Sequence, residues 1–212
     1  MNSTLRARPE RVFTTTGQTE PSSSQDGLCF SAHLDPKGEM FKQAWAIYNA
    51  SFNDIERRTL FEHLLVMRQL RYRFSAIRCD GAVVGVLGLW ELEGFCFVEH
   101  VAVAPEHRSG GYGCRAIRLL QRHVRKPILL DVEPFGTGVN AVRRVAFYRR
   151  LGFHYCGHPI TLPPYVGKTA EPTNLMSWPM ALDAEACERA LDTIRHGVYG
   201  LEPLVSCHHQ AV

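Results

Sequence analysis

The spacing of apolar residues divides the chain into helices and strands. A period of three to four residues predicts helices over 39–50, 56–70, 114–124, 142–151 and 184–196. Short runs of apolar and β-branched residues between turn signals predict strands over 28–33, 73–79, 82–91, 95–104, 127–132, 152–156 and 175–182. Residues 157–174 contain four prolines and two glycines, so we expect a long loop there.

Turn residues indicate how the strands follow one another. Asp80-Gly81 and Glu93-Gly94 suit tight hairpins, because glycine accepts the positive φ angles that such turns need. The three strands that they join should form an antiparallel meander. A strand–helix–strand unit follows downstream, and Pro179 favours an edge or bulged position for the last strand.

Length and composition indicate one compact domain with appendages. We expect residues 1–26 to be a disordered arm, since they are rich in Ser, Thr, Arg and Gln and poor in large apolar groups. A mitochondrial presequence is a less favoured reading of that arm, because Glu10 and Glu20 interrupt it. Residues 27–183 should form the main domain, and residues 184–212 a C-terminal helix and flexible tail.

Composition also argues against several classes of partner. The formal charge is only +3, from 24 basic and 21 acidic residues, so no strong field favours nucleic acid or membrane surfaces. The seven cysteines form no CxxC pair, which is typical of a reduced, cytoplasmic protein. No apolar stretch approaches the roughly 18 to 20 residues that span a bilayer. Cys156-x-His158 and Cys207-His-His209 lack a four-ligand pattern, so we expect no metal.

A glycine-rich loop, RSGGYG at 108–113, lies between a predicted strand and a predicted helix. Successive backbone N–H groups at such a position can converge on a phosphate. Gly111-x-Gly113-x-x-Ala116 also fits the dinucleotide fingerprint, with Asp131 as its acidic partner, and this would indicate a nicotinamide oxidoreductase. The fingerprint needs several further βαβ units, whereas an antiparallel meander feeds this loop, so the setting disfavours that interpretation.

Two motifs in order resemble the GNAT (GCN5-related) N-acetyltransferase superfamily. Its R/Q-x-x-G-x-G/A signature is matched by Arg108, Gly111 and Gly113, after the strand that ends in AVAPEHR. RRVAFYRRLGFHY, at 143–155, resembles the next motif of that superfamily. The resemblance covers about residues 38–182 and is strongest to uncharacterised bacterial GNAT proteins.

The resemblance implies a fold and a donor. The fold is α/β (α+β type), with a central mixed, mostly antiparallel sheet flanked by helices. The donor is acetyl-CoA, whose pantetheine arm would pair with the strand before the loop and whose pyrophosphate would lie on the loop. The matching positions are Val101, Ala102, Val103, Arg108, Ser109, Gly110, Gly111, Tyr112, Gly113 and Cys114.

Acyl transfer to an amine needs an acid, a base and an oxyanion donor. Tyr148 matches the acid tyrosine of the family, four residues before Gly152. For the base we rank Glu99 first, Glu133 second and His100 third. The backbone N–H of Val103 or its neighbour would polarise the thioester carbonyl.

Strand alternation decides the preference for Glu99. It puts Glu99 on one face with Val101 and Val103 unless a bulge intervenes, and it turns His100 to the other face. Tyr165 in the LPPY segment, with Phe52 and Tyr72 from the early part of the chain, should line the acceptor pocket, and Glu56 is a further candidate there.

Three functions are consistent with these residues. The first is acetyl transfer from acetyl-CoA to a primary amine of a small molecule or polypeptide, by direct attack in a ternary complex. The second is a non-catalytic acyl-CoA-binding regulatory module, and the third is the nicotinamide oxidoreductase. Retention of both Tyr148 and a strand carboxylate favours the enzyme. GNAT proteins often pair, so a homodimer is an open expectation with no interface specified.

Overall fold

Seven strands and five α-helices lie along residues 27–200, the part of the chain that the computed structural model describes. Its strands are β1 (Leu28–Ser31), β2 (Tyr72–Cys79), β3 (Ala82–Glu91), β4 (Cys96–Val103), β5 (Ile128–Val132), β6 (His154–Thr161) and β7 (Pro172–Trp178). Its α-helices are α1 (Glu39–Ser51), α2 (Leu60–Val66), α3 (Tyr112–His123), α4 (Val139–Arg150) and α5 (Ala184–Tyr199). None of these five helices is long and apolar enough to cross a membrane. The predicted arm and tail, 1–26 and 201–212, lie outside the described residues.

The strands form one sheet in the order β1-β2-β3-β4-β5-β7-β6. Every neighbouring pair is antiparallel except β4 and β5, which are parallel. The predicted meander of β2, β3 and β4 is therefore confirmed, and so is the mixed, mostly antiparallel sheet. The described residues form no doubly wound parallel sheet, which contradicts the nicotinamide alternative.

The second helix is shorter than predicted because a capping box starts it late. The Thr59 hydroxyl accepts a hydrogen bond from Glu62 N, and Glu62 Oε2 accepts one from Thr59 N at 2.8 Å. This reciprocal pair satisfies two N–H groups of the first turn and sets Leu60 as the first helical residue. Residues 56–58 therefore remain outside the helix.

The predicted loop over 157–174 is also shorter than expected. β6 continues to Thr161 and β7 begins at Pro172, so the connection is only 162–171. Pro159 is tolerated in β6 because β6 is an edge strand and its pairing with β7 is irregular between Tyr155 and Pro159. Pro179 lies beyond the end of β7, and β7 lies between β5 and β6, so the predicted edge position of this strand is wrong, although its pairing with β6 is irregular.

Each face of the sheet carries its own apolar core. The first core lies under α1, α2 and α5 and includes Phe41, Tyr48, Trp90, Phe97 and Ile194. The second lies under α3 and α4 and includes Leu87, Ile117, Leu120, Leu130 and Tyr148. The predicted C-terminal helix is confirmed and runs on to Tyr199, with five buried side chains in the first core.

The cysteines of the described part fit these cores as small apolar side chains. None of the six, from Cys29 to Cys187, forms a disulfide, and four of them are buried. Free Cys packs well in apolar surroundings because its S–H group is only a weak hydrogen-bond donor. The seventh, Cys207, lies outside the described residues.

Gly85 is expected to be essential for the contact between β3 and β4. A Cβ atom at this position would lie 2.4 Å from the backbone oxygen of Ala102. We expect Gly85→Ala to lower the free energy of unfolding by about 1–3 kcal/mol, because strands must separate to admit the methyl group. Chemical denaturation measures the change. Gly138→Ala is the matched control, since no atom lies within 4 Å of its Cβ position; equal stabilities of the two variants would contradict the prediction.

Candidate active site

The parallel strands β4 and β5 separate part of the way along the sheet. They pair only over 96–98 and 128–130. Beyond Val98, β4 stays with β3 up to Val103, while β5 stays with β7 up to Val132. A cavity of about 570 Å³ occupies the opening and is lined by residues from both faces of the sheet. The split therefore connects the two sides of the molecule.

A β-bulge places Glu99 at the start of the split. The β3–β4 register shifts so that Gly88 faces His100 and Leu89 faces Val98, which leaves Glu99 without a partner. Glu99 and His100 therefore both contact first-core residues, whereas Val101 packs against the second core. The predicted common face for Glu99, Val101 and Val103 is wrong, because a bulge reverses the alternation.

The glycine loop forms one end of the cavity. Ser109 and Gly111 have φ angles of 66° and 73°, and Gly111 begins α3 without any side-chain cap. The N–H groups of the first turn of α3 are thus free to meet an anion. Of the ten predicted cofactor contacts, the cavity is lined by Val101, Ala102, Val103, Arg108 and Gly113. The other five belong to the loop and first helical turn beside them: Ser109, Gly110, Gly111, Tyr112 and Cys114.

The free edge of β4 presents backbone groups to the split. Ala104 N donates to Val84 O on the β3 side at 2.9 Å. Hydrogen-bonding direction alternates along an antiparallel strand, so the N–H groups of Val101 and Val103 point away from β3. Because β5 has already separated, these groups have no strand to pair with and can bind an extended chain.

Tyr148 lines the same cavity from α4, on the side of the second core. Burial raises the pKa of its hydroxyl to about 12; the charge of Arg144 opposes this, and those of Asp131 and Glu133 add to it. The phenol is therefore protonated over the working range of most enzymes and can act as a hydrogen-bond donor.

Glu99 is held by three side chains. Arg58 Nη1 lies 2.7 Å from its Oε2, Trp90 Nε1 donates to Oε2 at 2.9 Å, and Tyr165 Oη donates to Oε1 at 3.0 Å. Burial alone would raise the pKa of Glu99, but Arg58 and His100 outweigh it and hold that pKa well below its usual range. Such a carboxylate is a weak base with both oxygen atoms engaged.

His100, the third-ranked base, has an oxygen atom beside each ring nitrogen. Nε2 lies 2.9 Å from Glu56 O, and Nδ1 lies 3.6 Å from Glu99 Oε2. Both ring nitrogens of His100 therefore face oxygen atoms of the protein. Glu133, the second-ranked base, lines the cavity but its Oε2 lies 3.0 Å from Arg144 Nη1.

Asp131 is an ionisable residue of the cavity that was not among the predicted bases. It lines the cavity from β5, and alternation from Leu129 turns it to the side of the first core. Thr173 Oγ1 lies 3.0 Å from Asp131 Oδ2 and 2.7 Å from Val132 O. Burial raises the pKa of Asp131 to about 6, although the Thr173 contact lowers it. The available signal was a single charged residue in the otherwise apolar strand ILLDV.

The other end of the cavity is built from three separate segments. Phe52 and Glu56 come from the connection between α1 and α2, Tyr165 from the β6–β7 loop, and Tyr199 from the end of α5. Phe52 and Tyr165, both predicted to line an acceptor pocket, therefore line this cavity, and their contact with an acceptor stays a prediction. Tyr199 was missed because it follows the last predicted helical residue.

Tyr72 does not line this end, and that prediction is wrong. Its side chain is only 2% exposed and its ring lies 4.9 Å from the ring of Trp90 in the first core. The segment before β2 is short, so Tyr72 enters the sheet directly and alternation turns its ring inward. Among residues 27–200 there is no group of three or more side chains suited to hold a metal ion.

The fold and the split sheet define a class of protein, the acyl-CoA-dependent transferases. The chain belongs to the acetyltransferase (GNAT) family, whose model matches residues 38–153. Members of this family transfer an acyl group from acyl-CoA to an amine. A comparison with curated proteins found no match.

Solved structures agree with this assignment. The chain is 29% identical to a GNAT-family protein from Bacteroides thetaiotaomicron, with a TM-score of 0.76, over 82% of this chain and 99% of that one. Ard1 from Thermoplasma volcanium is 18% identical, with a TM-score of 0.53, over 74% and 99% of the two chains. A phosphinothricin acetyltransferase from Sinorhizobium meliloti, solved with acetyl-CoA, is 15% identical, with a TM-score of 0.50, over 75% and 91%. The last two show the fold alone.

The Arg58–Glu99 pair should make stability depend on pH. The folded pKa of Glu99 lies below its ordinary value of 4.5, so its contribution is present above pH 4.5 and is lost as pH falls below that value. Either Arg58→Met or Glu99→Gln should cost about 3–5 kcal/mol, because the remaining partner is left buried and unpaired.

The double variant Arg58→Met/Glu99→Gln is the control for that prediction. It should be more stable than either single variant and should show a shallower loss of stability in acid. Urea denaturation between pH 3 and pH 7 measures both effects. Additive single effects, with an unchanged acid slope, would show that the two side chains are not coupled.

Proposed function

We propose that this protein transfers an acetyl group from acetyl-CoA to a primary amine, by direct attack in a ternary complex. The observation that carries the proposal is the arrangement of Tyr148 and Asp131 at the split. They line one cavity from opposite faces of the sheet, one as a protonated phenol and the other as a carboxylate with a pKa near 6. Donor and acceptor can therefore enter from opposite sides and meet between β4 and β5.

The donor side is the face that carries α3 and α4. The uncapped first turn of α3 and the side chains of Arg108, Arg143 and Arg144 suit the phosphates of acetyl-CoA. The free edge of β4 suits the amides of the pantetheine arm, which would pair with Val101 and Val103 as an added strand. An extended arm in this position brings the thioester to the split.

The reaction needs one bond made and one bond broken. The amine nitrogen attacks the thioester carbonyl carbon, and one of the two backbone N–H groups that point away from β3, that of Val101 or Val103, stabilises the oxygen as it becomes negative. The carbon–sulfur bond then breaks, and the Tyr148 hydroxyl supplies a proton to the departing thiolate. The nitrogen gives up a proton to Asp131, so the products are an N-acetyl amine and free CoA.

Asp131 replaces Glu99 as our choice of base for two reasons. A base must be ionised and yet basic enough to take a proton, and a pKa of about 6 meets both conditions near neutral pH. Glu99 has a pKa well below the usual range, and its oxygen atoms already accept bonds from Trp90 and Tyr165. We assign Glu99 and Arg58 the role of holding the bulge and Tyr165 in place.

The pH dependence of turnover tests this assignment. In the wild type, kcat/KM should rise with increasing pH, with a midpoint near pH 6, because Asp131 must lose its proton to act as base. Asp131→Asn should remove this limb and lower kcat by about 10²- to 10⁴-fold. Thr173→Val should move the limb to higher pH, since loss of the Thr173 contact raises the pKa of Asp131.

Tyr148→Phe and Glu133→Gln complete that pH series. The first should lower kcat while leaving the acid limb in place, because Tyr148 is not the titrating group. Glu133→Gln should change neither kcat nor the acid limb of the pH profile, although Glu133 is an acidic residue of the same cavity. An acid limb that persists in Asp131→Asn would refute the choice of base, and one that disappears in Glu133→Gln would move the role to that residue.

Donor binding can be tested without any acceptor. Acetyl-CoA and CoA should raise the melting temperature and NADH should not, because binding to the folded state stabilises it by about 2.7 kcal/mol at a hundredfold excess over Kd. Arg108→Ala should weaken the effect, whereas Arg122→Ala, which is exposed in the last turn of α3, should not. Tight binding of acetyl-CoA with no turnover for any amine, unchanged in Tyr148→Phe, would favour the regulatory module instead.

A further inference from the structure

Apart from Glu133, which pairs with Arg144, the charged residues of the cavity are separated by sign. The cationic side chains that line it are Arg108, Arg143 and Arg144, and all three lie at the α3 and α4 end. At the opposite end the lining carboxylates are Glu56, Glu99, Asp131 and Glu171, and no Lys or Arg of the described residues lines that end. The two ends therefore favour ligands of opposite charge.

Not all of these carboxylates are available to a ligand. Arg58 lies 2.7 Å from Glu99 and neutralises it, and Arg58 itself does not line the cavity. Asp131 is reserved for the reacting nitrogen if the proposed function holds. Glu56 and Glu171 remain as two negative charges with no cationic partner among the described residues.

Glu56 and Glu171 differ in exposure and in hydrogen bonding. Glu56 is partly buried; its Oε2 accepts a hydrogen bond from Asn53 N at 3.1 Å, and its N–H donates to Asn53 Oδ1 at 3.1 Å. Glu171 directly precedes β7 and is exposed. The cavity thus has one carboxylate that its own turn orients and one that is open to solvent.

The walls between these carboxylates are aromatic. Phe52, Tyr165 and Tyr199 line this end, and the rings of Tyr165 and Tyr199 lie 6.1 Å apart. Aromatic faces attract organic ammonium groups, and their apolar surface suits a short aliphatic chain. Arg58 already lies 4.5 Å from the centre of the Tyr165 ring, which shows that this ring accepts a cation on one face.

We infer that the acceptor is a small aliphatic diamine or polyamine. One primary amine would lie at Asp131 and react, and a second ammonium group would be held by Glu56 or Glu171. A carboxylate on the acceptor would be repelled by the same residues. The inference rests on the proposed function, and it names the acceptor that this site takes.

Three amines of equal chain length test the inference: 1,4-diaminobutane, butylamine and 4-aminobutyrate. Release of CoA from acetyl-CoA is measured for each, with the wild type, Glu56→Gln, Glu171→Gln and the double variant. The wild type should use the diamine best and 4-aminobutyrate least. In the double variant KM for the diamine should rise about tenfold, with kcat unchanged, because each lost pair contributes at most about 1 kcal/mol. KM for butylamine should change by less than about twofold.

Glu93→Gln is the matched control, because Glu93 is exposed in the turn between β3 and β4 and does not line the cavity. It should leave every KM unchanged. If the three amines are used equally well, or if the double variant keeps its KM for the diamine, the inference is overturned while the proposed function stands. A lysine-containing peptide that exceeds the diamine in kcat/KM would overturn it as well.

Calorimetric binding of 1,4-diaminobutane to the CoA-loaded protein separates the two proposals. Binding that the double variant weakens, without turnover for any amine, would refute acetyl transfer and support the diamine site. Turnover of butylamine without measurable diamine binding would support the transfer and refute the diamine site. Absence of both binding and turnover would overturn both.

Discussion

The site depends on the short pairing between two neighbouring strands of the sheet. β4 and β5 pair over only three residues each. Parallel strands that stayed together would close the sheet, and the two apolar cores would have no connection between them. Because each strand instead stays with its other neighbour, the backbone edge of β4 is left free and a cavity passes through the sheet. Donor binding, proton transfer and acceptor choice, as proposed, all use this opening.

The bulge at Glu99 determines which side chains surround the opening. It brings Glu99 to the same side as His100, where Arg58, Trp90 and Tyr165 satisfy the carboxylate. A buried ion pair of this kind adds little net stability, but loss of one partner is costly. Its consequence is geometric: it ties the segment before α2 and the β6–β7 loop to the sheet at the end of the cavity proposed for the acceptor. The walls of that end are thereby held by contacts between residues far apart in sequence.

The prediction of the fold was accurate where local patterns are strong and failed where distant segments decide. The meander, the glycine loop and helices α1, α3 and α5 follow from periodicity and turn residues. The predicted start of the loop at residue 157 was wrong because β6 continues through Pro159. Proline is acceptable there because β6 is an edge strand, and local sequence does not show which strand lies at an edge. The predicted face of Glu99 failed because a bulge depends on the register with β3. The predicted place of Tyr72 in the acceptor pocket was wrong because its ring packs against Trp90, which lies eighteen residues later in the chain.

The sequence by itself determined the family, the order of elements, the glycine loop proposed to bind the donor and the tyrosine that serves as the proposed acid, since each of these rests on residues that are close in the chain. The tertiary structure alone distinguished among the carboxylates. Glu99, Asp131 and Glu133 are all acidic residues at strand positions or strand ends, and their chemistry differs only through neighbours: Arg58 lowers one pKa, burial beside Thr173 raises another, and Arg144 pairs with the third. A pKa is set by surrounding charge and burial, and these depend on contacts that only the folded chain makes.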